Sequence, residues 1–246
     1  MCRSATARPT DAASGPKPRS RDTPSRILDV AERLVQVRGF NGFSYADVAS
    51  ELDVTKASLH YHFPGKAELG EALITRYAER FGQALMTIEA RTAAAPAMLE
   101  AYAGLYADVL RGRRMCLCGM LAAEYQTLPE PIRDAVLAFF DDNEVWLERV
   151  LEQGRHERSL RFEGPAREAA RVILSGLEGA MLVARSYGDV DRFLAAATGL
   201  LASLSGAPAQ RPAERSTAPA RASGTREEVD GDRPGVDRTA GKLRPR

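Results

Sequence analysis

Residues 44–63 read "SYADVASELDVTKASLHYHF". Ser44 has the side chain of a helix N-cap, and Asp47 stands where an acid can reach back to the cap amide, so a short helix is predicted with Val48, Ala49 and Leu52 inward. Thr55 opens a second short helix, which must end before Pro64 because the residue preceding a proline is pushed out of the helical region. Leu52-Asp53-Val54 forms the turn between them. Aspartate is among the few non-glycine residues that tolerate a left-handed backbone, so the turn closes without glycine. Two short helices across such a turn, with small Ala49 where the backbones approach, have the layout of a helix-turn-helix.

Outward from this stretch the pattern stays helical, and no segment alternates with the period of a strand. Ile27, Val30, Ala31, Leu34 and Val35 share one face of a helix expected over about 25–38 and stopped by Gly39. A fourth helix starts at Gly65 or Lys66 and carries Leu69, Leu73, Ile74, Tyr77 and Phe81. Ile27, Leu34, Val48, Leu52, Val54, Leu59 and Phe63 supply a small front core, leaving the polar residues of the third helix outward. Amphipathic segments follow over 97–111, 115–126, 131–154, 166–186 and 190–204, broken at Gly112, Leu128-Pro129, Gly164-Pro165 and Gly188. The expected fold is all-α: an N-terminal three-helix helix-turn-helix domain over 22–82, joined to a larger helical ligand-binding and dimerisation bundle over 83–205. Residues 1–21 and 206–246 are rich in Pro, Ala, Gly and Ser with almost no large apolar residues, and both tails are expected to be disordered.

Composition excludes several functions. The 246 residues hold 34 Lys and Arg against 33 Asp and Glu, so net charge neither favours nor opposes a nucleic-acid partner and only local placement decides. No apolar run of about 18 residues is present to span a bilayer, and the first residues lack the apolar middle of a secretory signal, so a cytoplasmic protein is expected. Cys2, Cys116 and Cys118 are too few for a disulfide framework, and Cys-x-Cys without a second ligand pair is not a zinc site. His60 and His62, two apart on a helix, point roughly 200° from one another and cannot share a metal. His156 is isolated, and no Ser or Cys has a His and an acid arranged for nucleophilic catalysis. No enzyme, cofactor or metal is expected.

The stretch "GF...S.ADVASELDVTKASLHYHFPGKAEL", with Tyr61, Phe63, Lys66 and Leu69 as its spaced tail, resembles the TetR family of bacterial transcriptional regulators over about residues 22–82. The resemblance implies a DNA-binding homodimer whose rear bundle senses a small molecule. One departure is the turn, where the family commonly has glycine and this chain has Asp53.

Roles follow from side-chain chemistry. In a helix-turn-helix the second helix enters the major groove and the first crosses the backbone. Thr55 and Tyr61 are hydroxyl donors for phosphate oxygens, and Ser44 and Tyr45 can serve likewise at the start of the second helix. Lys66 opens the fourth helix, where exposed amides and the helix dipole already favour a phosphate. Lys56, Ala57, Ser58, His60 and His62 are the candidates for base edges and thymine methyls. The plain alternative is that His60 and Tyr61 only cover the small bundle. Because the front segment is not strongly basic, affinity for a double-stranded operator must come from placement and from two copies acting together on a palindrome.

In the rear, "RVILSGLEGAMLVARSYGD" (171–189) is apolar almost all round, with Gly176 and Gly179 flattening one side. With "VDRFLAAATGLLASL" (190–204) it has the character of a two-helix contribution to a four-helix homodimer interface; the alternative is an internal core helix. The sensor region is placed at "RGRRMCLCGMLAAEYQTL" (111–128), where Arg111, Arg113 and Arg114 precede Cys116 and nearby cations lower a thiol's pKa. This segment resembles a TetR branch with Cys-Leu-x-Gly at this place, some members of which respond to electrophiles or oxidants. Cys116 is thus read as reactive or ligand-lining, against the alternative of a small buried hydrophobe. Candidate ligand-lining residues are Tyr102, Tyr106, Met120, Tyr125, Phe139, Phe140, Trp146 and Met181. The expected function is a repressor released by an unidentified small-molecule effector; the alternative is a helical ligand-binding or catalytic bundle that has lost DNA binding.

Overall fold

A computed structural model describes residues 23–204; the two tails and Cys2 lie outside the described residues. Helix α1 (Thr23–Arg38) buries Ile27, Ala31, Leu34 and Val35. It ends at Gly39, whose φ of +85° is the left-handed exit for which glycine has no Cβ penalty, with its N–H returning to the Val35 carbonyl at 2.8 Å. Helix α2 (Tyr45–Leu52) has the expected capping box: Ser44 accepts from the Asp47 amide and the Asp47 carboxylate accepts from the Ser44 amide. Asp53 then takes φ 53° and ψ 49°, the left-handed turn expected of it, and α3 (Lys56–His62) begins behind the Thr55 cap. Leu59 is fully buried beneath α3 and Phe63 nearly so, whereas Leu52 and Val54 are only half-buried, because both flank the turn at the rim of the small core.

Helix α4 (Lys66–Arg91) is continuous, so the boundary expected between residues 82 and 83 falls inside a helix. Within α1, Glu32 is buried and accepts from Arg76 at 3.1 Å and Arg80 at 2.5 Å, both on α4.

Helix α5 (Ala95–Arg111) is followed by α6 (Leu117–Ala123), a 3₁₀ turn (Tyr125–Thr127), α7 (Glu130–His156), α8 (Ala166–Tyr187) and α9 (Val190–Ala202). The segment expected as one helix over 115–126 is thus broken at Glu124, whose carboxylate is drawn to α1. Helix α8 packs between α7 and α9, and α4, α5 and α7 enclose the interior. The two α8 glycines separate in role: a Cβ on Gly176 would stand 2.8 Å from Leu200 of α9, whereas Gly179 faces open space. No β-strand occurs among the described residues.

Candidate functional site

The front of the molecule presents α3. With Leu59 inward, Lys56, Ala57, His60 and Tyr61 are exposed, and Ser58 and His62 half-exposed. Tyr61 is 84 % exposed, far more than an aromatic used only for packing, and its ring meets His62 edge-on at 5.1 Å. Thr55 Oγ1 accepts the Ser58 amide at 3.2 Å, leaving its hydroxyl proton free to donate outward. His60 Nδ1 lies 2.9 Å from the Pro64 carbonyl. A carbonyl only accepts, so Nδ1 carries the proton and Nε2 of the neutral ring is left as an acceptor.

Three other candidates are turned to internal work. The Tyr45 hydroxyl faces the carbonyls of Phe63 at 2.9 Å and Gly65 at 2.6 Å, which fixes α2 against the α3–α4 turn; burial, with the Glu68 charge adding, pushes its pKa up to about 12. Ser44 donates its hydroxyl to Asp47 Oδ2 at 2.6 Å, and this bond leads the causes that hold Asp47 below its usual value. Lys66 was expected as a phosphate-facing point charge. Instead its Nζ donates to the Phe43 carbonyl at 2.6 Å and lies 4.8 and 4.4 Å from the Phe40 and Phe43 ring centroids. Burial lowers its pKa against the attraction of Glu124 and Asp47. The reason is cation–π packing: the stem crosses two aromatic rings and brings the ammonium to an unpaired loop carbonyl.

In the rear, Tyr102 and Trp146 stack with centroids 5.4 Å apart, and the Tyr102 and Tyr106 hydroxyls meet at 3.1 Å. The Tyr102 hydroxyl donates to Asn143 Oδ1 at 2.9 Å, while Asn143 Nδ2 donates to the Phe139 carbonyl at 2.7 Å. Phe81 is set edge-on to Tyr102, Tyr106 and Phe139, and Phe140 lies against Phe139 at 5.7 Å. Cys116 joins this interior through Tyr77, whose hydroxyl donates to Sγ at 3.6 Å, and through its own amide, which donates to Met181 Sδ at 3.4 Å. Two expected members stand apart: Met120 Sδ accepts from Arg185 at 3.1 Å, and Tyr125 lies beneath the Arg133 guanidinium.

The arginines do not tune Cys116. Arg111 is paired with Asp108 at 2.6 Å, Arg114 reaches Gln36 Oε1 at 3.3 Å, and Arg113 lines a separate surface cleft. Burial pushes the thiol up, but hydrogen bonds involving Cys118, the Gly119 amide, Glu178 and Tyr77 outweigh it and bring Cys116 to about 6. Burial pushes the neighbouring Glu178 carboxyl well above the carboxylate range, and its Oε1 is buried without a hydrogen-bond partner.

Helix α6, which Cys116 caps, is tied to α1 at its start and to the loop after α1 at its end. The Met115 amide donates to the Gln36 carbonyl at 3.2 Å. At the other end Glu124 accepts the Phe40 amide at 2.5 Å and the Asn41 amide at 3.3 Å, and Asn41 Nδ2 donates to Thr127 at 2.7 Å. A Cβ on Gly39 would stand 2.7 Å from Glu124 Oε1, so glycine gives both the turn and room for the carboxylate.

Residues 27–73 match the family described as bacterial regulatory proteins, tetR family, and residues 82–200 match the tetracyclin repressor-like C-terminal domain. A TetR-family transcriptional regulator from Agrobacterium tumefaciens is 32 % identical, covers 75 % of this chain and 98 % of its own, and superposes with a TM-score of 0.73. This chain belongs to the TetR family. The HTH-type transcriptional regulator LmrA of Bacillus subtilis (strain 168) is 29 % identical over 170 residues, covering 66 % of this chain and 86 % of LmrA. The reduced form of E. coli NemR is 26 % identical, covers 73 % of this chain and 95 % of its own, with a TM-score of 0.64.

As a TetR-family member the protein is a DNA-binding transcriptional regulator and not an enzyme. Among the described residues no helix is long and apolar enough to cross a membrane, and no group of three or more His, Cys, Asp or Glu could hold a metal ion. Sequence analysis did not single out Tyr77, Asn143 and Glu178 as neighbours of Cys116 and Tyr102, nor the contact of Glu124 with the amides of Phe40 and Asn41. Glu178 was detectable as the one acid in the apolar run from Val172 to Ala184; Glu124 carried no such signal, because its partner amides lie more than 80 residues away in sequence.

Proposed function

We infer that the protein is a homodimeric repressor that reads a palindromic operator with α3 and is released by a small-molecule effector. The observation that carries this reading is the outward face of α3, where Lys56, Ala57, His60 and the 84 % exposed Tyr61 stand opposite buried Leu59. Lys56, Ala57, Ser58 and His60 read bases, with His62 at the edge of that set, while Thr55 and Tyr61 position the helix on phosphates. Ser44 and Tyr45 contribute by shaping α2. Residues 22–82 form the DNA-binding part and 83–205 the effector and dimer part, with α4 common to both.

Dimerisation through α8 and α9 is supported by the apolar stripe of Val172, Leu182, Val183 and Tyr187, which are 59, 57, 50 and 67 % exposed, beside open Gly179. The effector acts on the interior that contains Tyr102, Tyr106, Trp146, Met181 and Cys116. Cys116 belongs to the Cys-Leu-x-Gly branch and serves as its responsive thiol. Its place as the cap of α6, which is bound to α1 at its start and to the loop after α1 at its end, supports this, as does the similarity to NemR, a protein described in a reduced form.

The test is a gel shift on DNA upstream of the protein's own gene across a salt series. Saturable binding that weakens steeply with salt is expected, with Lys56→Ala and His60→Ala changing sequence preference and Val183→Asp abolishing both dimer and shift. Binding that ignores salt, or a monomer in solution, overturns the reading. For the thiol, mass spectrometry after a mild electrophile is expected to find Cys116 modified; modification of Cys2 alone rules it out.

A further inference from the structure

A second site lies outside the aromatic interior. Between the end of α5 and the α8–α9 turn is a cleft of about 430 Å³ with an apolar floor of Leu110, Ala184 and Val190. Three arginines, Arg111, Arg113 and Arg185, and one acid, Asp189, also line it. Asp189 is engaged as the N-cap of α9, accepting from the Arg192 amide at 3.2 Å, and Arg111 is paired on its outer side with Asp108. The 13-residue α9 begins at Val190 in the cleft, so the positive end of its dipole adds to the same field.

The backbone at Arg113 also bears on the cleft. Arg113 has φ +56°, a left-handed conformation that costs a non-glycine residue about 1–2 kcal/mol. Helix α5 ends here with the Arg113 amide on the Leu110 carbonyl at 2.8 Å and the Arg114 amide on Val109 at 3.1 Å, a termination that α7 repeats with Arg158 at φ +60°. The chain has a glycine one place earlier, Gly112, at φ −73°, where any residue fits. Arginine therefore occupies the one position of the turn at which stability alone would favour glycine. Its guanidinium has no ion pair or side-chain hydrogen bond among the described residues and lines the cleft.

We propose that this cleft binds a small amphiphilic oxyanion, with its carboxylate or phosphate between Arg111, Arg113 and Arg185 and its apolar body on Leu110, Ala184 and Val190. Arginine's planar fork suits either oxyanion, and the floor excludes a preference for the bare inorganic ion. Arg185 already donates one terminal nitrogen to the Val37 carbonyl at 2.6 Å and the other to Met120 Sδ at 3.1 Å, so it adds its charge to the site and ties it to the last turn of α1. The proposal does not depend on operator binding, because its test needs no DNA.

The experiment is isothermal titration of the full chain with benzoate, phenyl phosphate and inorganic phosphate at ionic strength held constant with chloride. Saturable binding of benzoate or phenyl phosphate, stronger than that of inorganic phosphate, is expected; which of the two is tighter identifies the headgroup. Arg113→Gly, which relieves the backbone strain, is expected to weaken binding about tenfold or more, the equivalent of one lost charge-assisted contact, while leaving the melting temperature unchanged or higher. Arg111→Gln should weaken it without touching the strained turn, and the exposed Arg167→Gln elsewhere should not. Unchanged affinity in Arg113→Gly, equal binding of inorganic phosphate, or no saturation overturns the proposal. A lowered melting temperature in Arg113→Gly also overturns it, since the arginine would then be kept for the fold.

Discussion

Replacing Glu124 by alanine tests whether the tie between α6 and α1 has energetic content. Glu124 accepts the Phe40 amide at 2.5 Å and the Asn41 amide at 3.3 Å. Phe40 is only 4 % exposed, so in Glu124→Ala its amide loses its acceptor where water reaches poorly. Leaving a buried donor unsatisfied costs about 1–3 kcal/mol. Asn41 is exposed and its amide can turn to water, adding little. The expected loss is therefore about 2 kcal/mol, which at a urea slope of about 2–3 kcal/mol per molar lowers the unfolding midpoint by roughly 0.7–1 M. Glu124→Gln keeps an oxygen but loses the charge and sets an NH₂ beside two amide donors, so it should fall between alanine and wild type. The assay is urea unfolding followed by Trp146 fluorescence and circular dichroism at one fixed protein concentration, since an oligomer's stability depends on concentration. Glu71→Ala, at an exposed position of α4, should stay within about 0.5 kcal/mol. A Glu124→Ala midpoint indistinguishable from that of Glu71→Ala would refute the reasoning, because water would then replace the carboxylate and the two helices would be coupled by packing alone.

Thr55→Val removes the cap of the seven-residue α3 while keeping its shape; a loss of about 1 kcal/mol and faster hydrogen exchange of the Ser58 amide are expected. An unchanged Ser58 exchange rate would contradict the capping role. For Glu178, burial raises the folded pKa above the ordinary 4.5, so the unfolded chain releases this proton first as pH rises. Its contribution is whole below pH 4.5 and is lost progressively as pH climbs toward the raised folded value. Glu178→Gln should therefore gain stability relative to wild type between pH 5 and pH 8, read as a widening gap in urea midpoint; a gap constant over that range would mean the carboxyl is solvated.

Local chemistry carried most of the front of the molecule. The Ser44 and Asp47 capping box, the left-handed Asp53 and the stop at Gly39 are decided by residues within a few positions of one another, and each takes the conformation its own side chain favours. Helix periodicity likewise placed the rear segments, because a continuous apolar stripe must find a partner wherever it lies. The aromatic interior of the rear bundle was legible only as composition. Tyr102, Tyr106, Trp146, Cys116 and Met181 do converge, but nothing in helical spacing distinguishes them from Tyr125, which the 3₁₀ turn directs to Arg133 instead.

Charged side chains were least legible, because where a long side chain ends depends on what lies within its reach. From sequence, Lys66 is a cation at a helix start; in the fold two rings and the Phe43 carbonyl draw its ammonium inward. Arg111, Arg113 and Arg114, adjacent to Cys116 in sequence, leave it to hydrogen bonds from Tyr77 and its neighbours. Which segments are helical, where they stop, and that α3 turns a polar face outward can be read from residue order, since those outcomes rest on backbone propensity and period. Only the tertiary structure decided that Glu124 fastens α6 to α1, that Glu178 lies beside the Cys116 thiol, and that Arg113 and Arg185 meet at one cleft. Each joins residues tens of positions apart, and the free energy of such a contact exists only once packing has brought them together and excluded the water that would otherwise solvate them.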